Sequence, residues 1–128
     1  MSQHILFVDD EVPIRETLKL YFKTKNLTVS TAESGAEAIR MIGETPFTLV
    51  ILDLKLGEEN GMDLLGRFKA MHPSLPVIMF TSMGDDPALL REAMDKGARA
   101  YMSKTESFDN LLKEVRRAME PAAQAGAS

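Results

Sequence analysis

The sequence predicts an α/β fold: a doubly wound, five-stranded parallel sheet with helices on both faces. Three observations carry this. Short apolar runs alternate with amphipathic stretches from one end of the chain to the other. Three of those runs, at residues 5–8, 49–52 and 77–80, contain no polar residue, as strands covered on both faces require. Several of the stretches between runs begin on a capping residue or Pro, and several stop at Gly or before Pro, the punctuation of helices.

Taken in order, residues 5–8 form the first strand. A helix over Val12–Lys23 follows, with Pro13 in its first turn and Ile14, Leu18, Tyr21 and Phe22 at helical spacing. Residues 28–32 mix polar and apolar side chains and read as an edge strand. Ser34 and Glu37 form a capping box for a second helix carrying Ala38, Ile39 and Ile42 and stopping near Gly43. After the strand at 49–52, a third helix starts near Gly61, presents Leu64, Leu65 and Phe68, and ends at His72, because a residue before proline avoids the α region. After the strand at 77–80, Asp86 and Pro87 are N-cap and first residue of a fourth helix that finishes at Gly97. Residues 100–103 are the other edge strand, and Phe108, Leu111, Leu112, Val115 and Met119 mark a fifth helix. From Pro121 the chain reads Pro-Ala-Ala-Gln-Ala-Gly-Ala-Ser, too poor in apolar mass to pack. The expected organisation is one domain over 1–120 and a flexible tail or linker start over 121–128.

Composition narrows the function. A length of 128 residues suits one domain. Fifteen Lys plus Arg against nineteen Asp plus Glu leave a net charge of −4, which argues against a nucleic-acid binder or an anionic-membrane binder. The absence of Cys removes disulfides, thiolate metal sites and a thiol nucleophile, and two isolated His make a His-rich metal site implausible. No signal-peptide pattern or bilayer-length apolar run is present, so a cytoplasmic location is expected.

With apolar strands central and mixed strands outside, the strand order that avoids left-handed crossovers is 2-1-3-4-5, the flavodoxin-like arrangement. Ligands of such sheets bind beyond the carboxyl ends of the strands. There the sequence places Asp9, Asp10 and Glu11 after the first strand, Asp53 after the third, Thr81 at the end of the fourth and Lys104 after the fifth. The first and third strands are neighbours in this order, so Asp9, Asp10 and Asp53 converge. Three close carboxylates need a counter-charge, and Mg2+, which favours oxygen ligands together with a phosphate, supplies one. A carboxylate can also attack a phosphoryl group to form an acyl phosphate. Asp53 is the candidate acceptor, with Lys104 and Thr81 to hold the phosphoryl oxygens. Singly, each residue has a plain structural role: an Asp that caps a turn, a β-branched strand residue, a solvated lysine. Their joint placement at successive strand ends is what points to chemistry.

The ordered set Ile5-Leu6-Phe7-Val8-Asp9-Asp10-Glu11, Leu49-Val50-Ile51-Leu52-Asp53-Leu54, Gly61, Pro76-Val77-Ile78-Met79-Phe80-Thr81-Ser82 and Gly97-Ala98-Arg99-Ala100-Tyr101-Met102-Ser103-Lys104 resembles the receiver domain of bacterial two-component response regulators. The resemblance spans residues 3 to 119. It implies that Asp53 is the phospho-acceptor, that Asp9 and Asp10 bind Mg2+ together with Asp53 and the backbone carbonyl of Lys55, that Thr81 is the switch hydroxyl and that Lys104 contacts the phosphoryl group. Tyr101 matches a switch aromatic, and Ser82 adjoins the switch hydroxyl on the side expected to meet the bound group. The implied partners are a sensor histidine kinase or phosphotransfer protein, an effector domain or output partner, and a second copy on phosphorylation, engaged through the face of the fourth helix, fifth strand and fifth helix. Such a chain acts as a switch, and its catalysis is confined to its own phosphorylation and dephosphorylation.

Two positions depart from the family pattern. Gly57 stands where a proline is usual, which suggests a flexible loop over residues 57–61. Thr105 follows the lysine where a proline with a cis bond is usual, and a cis bond without proline costs about 3 to 4 kcal/mol. Rival readings are weaker. A haloacid-dehalogenase-like phosphohydrolase wants a second Asp two residues after its nucleophile, and the chain has Glu11 or Val12 there. A pseudo-receiver would keep the fold without phosphorylation, yet every chemical position is filled. The glycines of residues 61–66 lack the Lys-Ser/Thr of a phosphate loop, and Lys55 and Gly57 break a calcium-loop pattern. The receiver fold uses nearly all of the chain, so the output is expected to come from a docked partner or from a longer protein.

Overall fold

The computed structural model describes residues 3–119, so the tail expected over 121–128 lies outside the described residues. The elements run β1 (His4–Val8), α1 (Val12–Lys23), β2 (Thr28–Ala32), α2 (Gly35–Glu44), β3 (Leu49–Leu52), β4 (Lys55–Leu56), β5 (Glu59–Asn60), α3 (Gly61–Met71), β6 (Val77–Thr81), α4 (Pro87–Asp95), β7 (Ala100–Ser103) and α5 (Phe108–Ala118). Five strands make one parallel sheet in the order β2-β1-β3-β6-β7, which is the expected 2-1-3-4-5 once the short β4-β5 pair is set aside.

Alternation along each strand divides the core in two. Leu6, Val8, Val50, Leu52, Val77 and Met79 face α2, α3 and α4, packing on Ala38, Leu65, Phe68 and Ala93. Ile5, Phe7, Leu49, Ile51, Ile78 and Phe80 face α1 and α5, packing on Leu18, Phe22, Leu111 and Val115. Both faces of the central strands are therefore dry, which is why their sequences are apolar runs rather than alternating patterns.

The helix starts follow their caps. Ser34 Oγ accepts from the Glu37 N–H, and the Glu37 carboxylate accepts from the Glu33 N–H, while Asp86 accepts from the Ala88 and Leu89 N–H groups. Helix α2 continues one residue past the expected stop, to Glu44. No Cβ built on Gly43 would meet an atom within 4 Å, so glycine there serves no tight turn.

One expectation needs correction. Residues 55–60 form a two-stranded antiparallel hairpin, with Lys55 paired to Asn60 and Leu56 to Glu59, in place of a flexible loop. Gly57 sits at φ +59, the left-handed value that a two-residue turn opening on glycine uses and that proline, fixed near −65°, does not reach. The Lys104–Thr105 bond, whose state the sequence leaves open, is trans, since no described bond is cis. No helix among the described residues is long and apolar enough to cross a membrane.

Candidate functional site

Backbone pairing carries past the strand ends and sets the acids side by side. The Asp9 N–H donates to the Ala32 carbonyl and the Asp53 N–H to the Val8 carbonyl, each at 3.0 Å. The Lys104 N–H donates to the Thr81 carbonyl at 2.8 Å, which fixes the start of the loop after β7. The result is a small open cleft of about 300 Å3 lined by Asp10, Glu11, Asp53, Lys55, Gly57, Ser82 and Lys104. Larger hollows exist, one of about 560 Å3 between the α2–β3 and α3–β6 loops at the opposite end of the sheet. Its lining holds no carboxylate, lysine or arginine, whereas the smaller cleft gathers the charged residues expected from the sequence.

Asp9 and Asp53 are buried and Asp10 is exposed, and one carboxylate oxygen of each lies within 4.8 Å of the others. Lys104 Nζ sits among them. It donates to Asp53 Oδ2 and to Glu11 Oε1, both at 2.9 Å, and lies 2.8 Å from Asp9 Oδ2. That last contact is the shortest of the three, and it makes Lys104 the partner of the buried Asp9 Oδ2. Burial raises both Asp9 and Asp53 above the ordinary carboxylate range; Lys104 pulls each back, and the charge of Asp9 pushes Asp53 further up. Burial alone would lower Lys104, but its contacts with Asp9, Glu11 and Asp53 outweigh this and hold it charged well above its ordinary value.

This donor set fits a hard divalent cation. All the donors are carboxylate oxygens within 4.8 Å of one another, and two of the three carboxylates are buried. Asp10 is held by the hairpin, since its Oδ2 accepts from the Gly57 N–H at 2.9 Å. A proline at position 57 would have no such donor.

The remaining expected residues divide. Ser82 lines the cleft and is exposed, and Lys55 lines it with its N–H 3.5 Å from Asp53 Oδ1. Thr81 is buried at the end of β6 and its Oγ1 accepts from the Met83 N–H at 3.2 Å. Tyr101 stands outside the cleft, half-buried, with its hydroxyl donating to the Met83 carbonyl at 2.7 Å. One residue, Met83, thus joins Thr81 and Tyr101 through its two backbone polar groups.

Arg15 was not anticipated from the sequence. Its side chain is 13% exposed, and Nη1 donates to the Asp9 carbonyl at 2.6 Å, behind the acidic cluster. The signal was present: residues 15, 18 and 22 share a face of α1, so a charged residue falls on the stripe of the buried Leu18 and Phe22.

The sequence matches the response regulator receiver domain family over residues 5–116. The chain belongs to that family. Receiver domains are phosphorylation-dependent signalling switches of two-component systems rather than classical enzymes. This receiver domain is 34% identical over 122 residues to the transcriptional regulatory protein GlrR of Escherichia coli (strain K12), aligning 95% of its own length with 27% of that protein. The chain therefore spans about a quarter of the length of that relative. Among solved structures, NtrX from Brucella abortus matches with a TM-score of 0.88 and 30% identity, covering 99% of this chain and 29% of that one. A CheY-like receiver domain protein from Methanospirillum hungatei JF-1 superposes at a TM-score of 0.90 over 98% of this chain and 99% of its own, and at 24% identity it speaks for the fold alone.

Proposed function

We propose that this receiver domain accepts a phosphoryl group on Asp53 from a sensor histidine kinase or phosphotransfer protein, with Mg2+ held by Asp9, Asp10, Asp53 and the backbone carbonyl of Lys55. The observation that carries the reading is the Lys104 ammonium bonded to Asp53 inside a three-carboxylate cluster, which puts a nucleophile, a cation site and a partner for phosphoryl oxygens in one cleft. An Asp53 oxygen forms the bond to phosphorus while the bond from phosphorus to the donor's nitrogen or oxygen breaks, its electron pair leaving with the donor. The acceptor carboxylate surrenders no proton. Lys104 neutralises charge on the phosphoryl oxygens, and Mg2+, when bound, supplies charge neutralisation on the other side.

Phosphorylation adds about −1.5 to −2 charges at Asp53. Thr81 is the switch hydroxyl of this reading; drawn to a phosphoryl oxygen, it would release the Met83 N–H, and Tyr101, bonded to the Met83 carbonyl, would move with that loop. In this reading the face of α4, β7 and α5 changes affinity for an effector domain, an output partner or a second copy. A cytoplasmic location goes with the family assignment. Beryllofluoride with Mg2+ is expected to shift the amide NMR signals of residues 81–84 and 101 in the wild type. No shift there, and no adduct on Asp53 after acyl-phosphate treatment, would return the chain to the pseudo-receiver reading.

Because burial raises Asp9 and Asp53, protons and Mg2+ compete for the same oxygens. Mg2+ affinity is expected to weaken as the pH falls from neutrality into the acid range, with binding releasing protons there. Calorimetry in two buffers of different ionisation enthalpy measures both, and an affinity independent of pH in that range contradicts the assignment of Asp9 and Asp53 as ligands.

A further inference from the structure

The ammonium of Lys104 has three N–H donors and three carboxylate neighbours, and these neighbours are not equivalent. Asp9 and Asp53 belong to the cluster whose oxygens lie within 4.8 Å of one another, and Glu11 does not. A cation on that cluster and a phosphoryl group on Asp53 would draw away the negative charge that Asp9 and Asp53 now offer to Lys104. Glu11 is the neighbour that keeps its charge. A second observation is independent of the first. Glu11 is the N-cap residue of α1, yet its side chain makes no capping bond and extends instead to a lysine 93 positions later in the chain.

We propose that Glu11 is a positioning residue for Lys104. It anchors one N–H of the ammonium at the cleft mouth and leaves the others aimed at Asp53, so that the cation stays in place when Asp9 and Asp53 turn to the metal and the phosphoryl group. Exposure suits this role: at 64% exposed, the Glu11 side chain can follow Lys104 over a short distance without the cost of a buried, fixed charge. The main chain anchors the pair as well, since the Glu11 N–H donates to Asp9 Oδ1 at 2.9 Å and the Lys104 N–H is held by Thr81. This inference rests on the proposed phospho-acceptor function.

The test is a double-mutant cycle read as the rate of Asp53 phosphorylation by a small acyl phosphate at saturating Mg2+, on the 128-residue chain. Glu11→Ala is expected to slow labelling by about five- to tenfold, with a smaller change in the Mg2+ concentration at half-saturation. Glu11→Gln, which retains an oxygen acceptor, should recover part of the rate. In a Lys104→Ala background, Glu11→Ala should have no further effect, because Glu11 acts through Lys104. A second readout is free of phosphorylation. The Lys104 ammonium 15N signal in the Mg2+-saturated protein should be resolved and slow to exchange in the wild type and lost in Glu11→Ala. An unchanged ammonium signal, or an equal slowing with and without Lys104, overturns the role of Glu11. Failure of the wild type to label at all overturns the phospho-acceptor reading and leaves the ammonium signal to judge Glu11 separately.

Discussion

Asp53→Asn is expected to lower phosphorylation from an acyl phosphate with Mg2+ by more than about a hundredfold, measured as the intact-mass increment of one phosphoryl group. The amide keeps the size of the carboxylate and an oxygen for Lys104, but it is not a nucleophile of comparable strength. Asp53 is 4% exposed and burial already disfavours its charge, so the neutral variant should remain folded and melt no lower than the wild type. A folded variant that still gained the full adduct would place the acceptor elsewhere.

Gly61→Ala is expected to be the most damaging small substitution outside the acids. A Cβ at this position would lie 2.1 Å from the Asp53 carbonyl oxygen and 2.7 Å from Leu54 Cα, and its N–H already donates to the Leu54 carbonyl at 2.6 Å. The obstacle is backbone, so either α3 or the Asp53–Leu54 peptide must shift. Overpacking of this kind costs about 3 kcal/mol or more, and here the displacement reaches Asp53, the proposed acceptor. Phosphorylation should slow together with the fall in stability. Gly66→Ala in the same helix is the control: nothing lies within 4 Å of its Cβ, and the substitution should stabilise by about 0.5–1 kcal/mol. Urea unfolding of the two variants against the wild type separates the cases, and an unshifted midpoint for Gly61→Ala would contradict the close approach.

The fold was legible where burial imposed a pattern. The runs at 5–8, 49–52 and 77–80 are apolar because helices cover both faces of β1, β3 and β6, and the mixed runs at 28–32 and 100–103 lie at the edges of the sheet. Ser34 and Asp86 marked helix starts because their side chains satisfy backbone donors that have no other partner. The hairpin at 55–60 escaped notice because two-residue strands have no periodicity, and the glycine read as a sign of flexibility forms the hairpin turn. Of the site, the convergence of Asp9, Asp10 and Asp53 followed from strand order alone. Side-chain reach did not. That Glu11 turns to Lys104, that Arg15 supports the Asp9 carbonyl and that Met83 joins Thr81 to Tyr101 depend on loop conformation, which residue spacing leaves open.

The burial of Asp9 and Asp53 sets a trade between durability and work. An acid whose folded pKa is raised stabilises the fold below its unfolded value and loses that contribution as the pH rises through the folded one. At neutral pH the chain therefore folds against two of its own charges, and a bound cation returns part of that free energy by mass action. A screen for heat-resistant variants scored on melting alone would drift toward neutral residues at positions 9 and 53. It would select a protein that keeps its shape and no longer carries a signal.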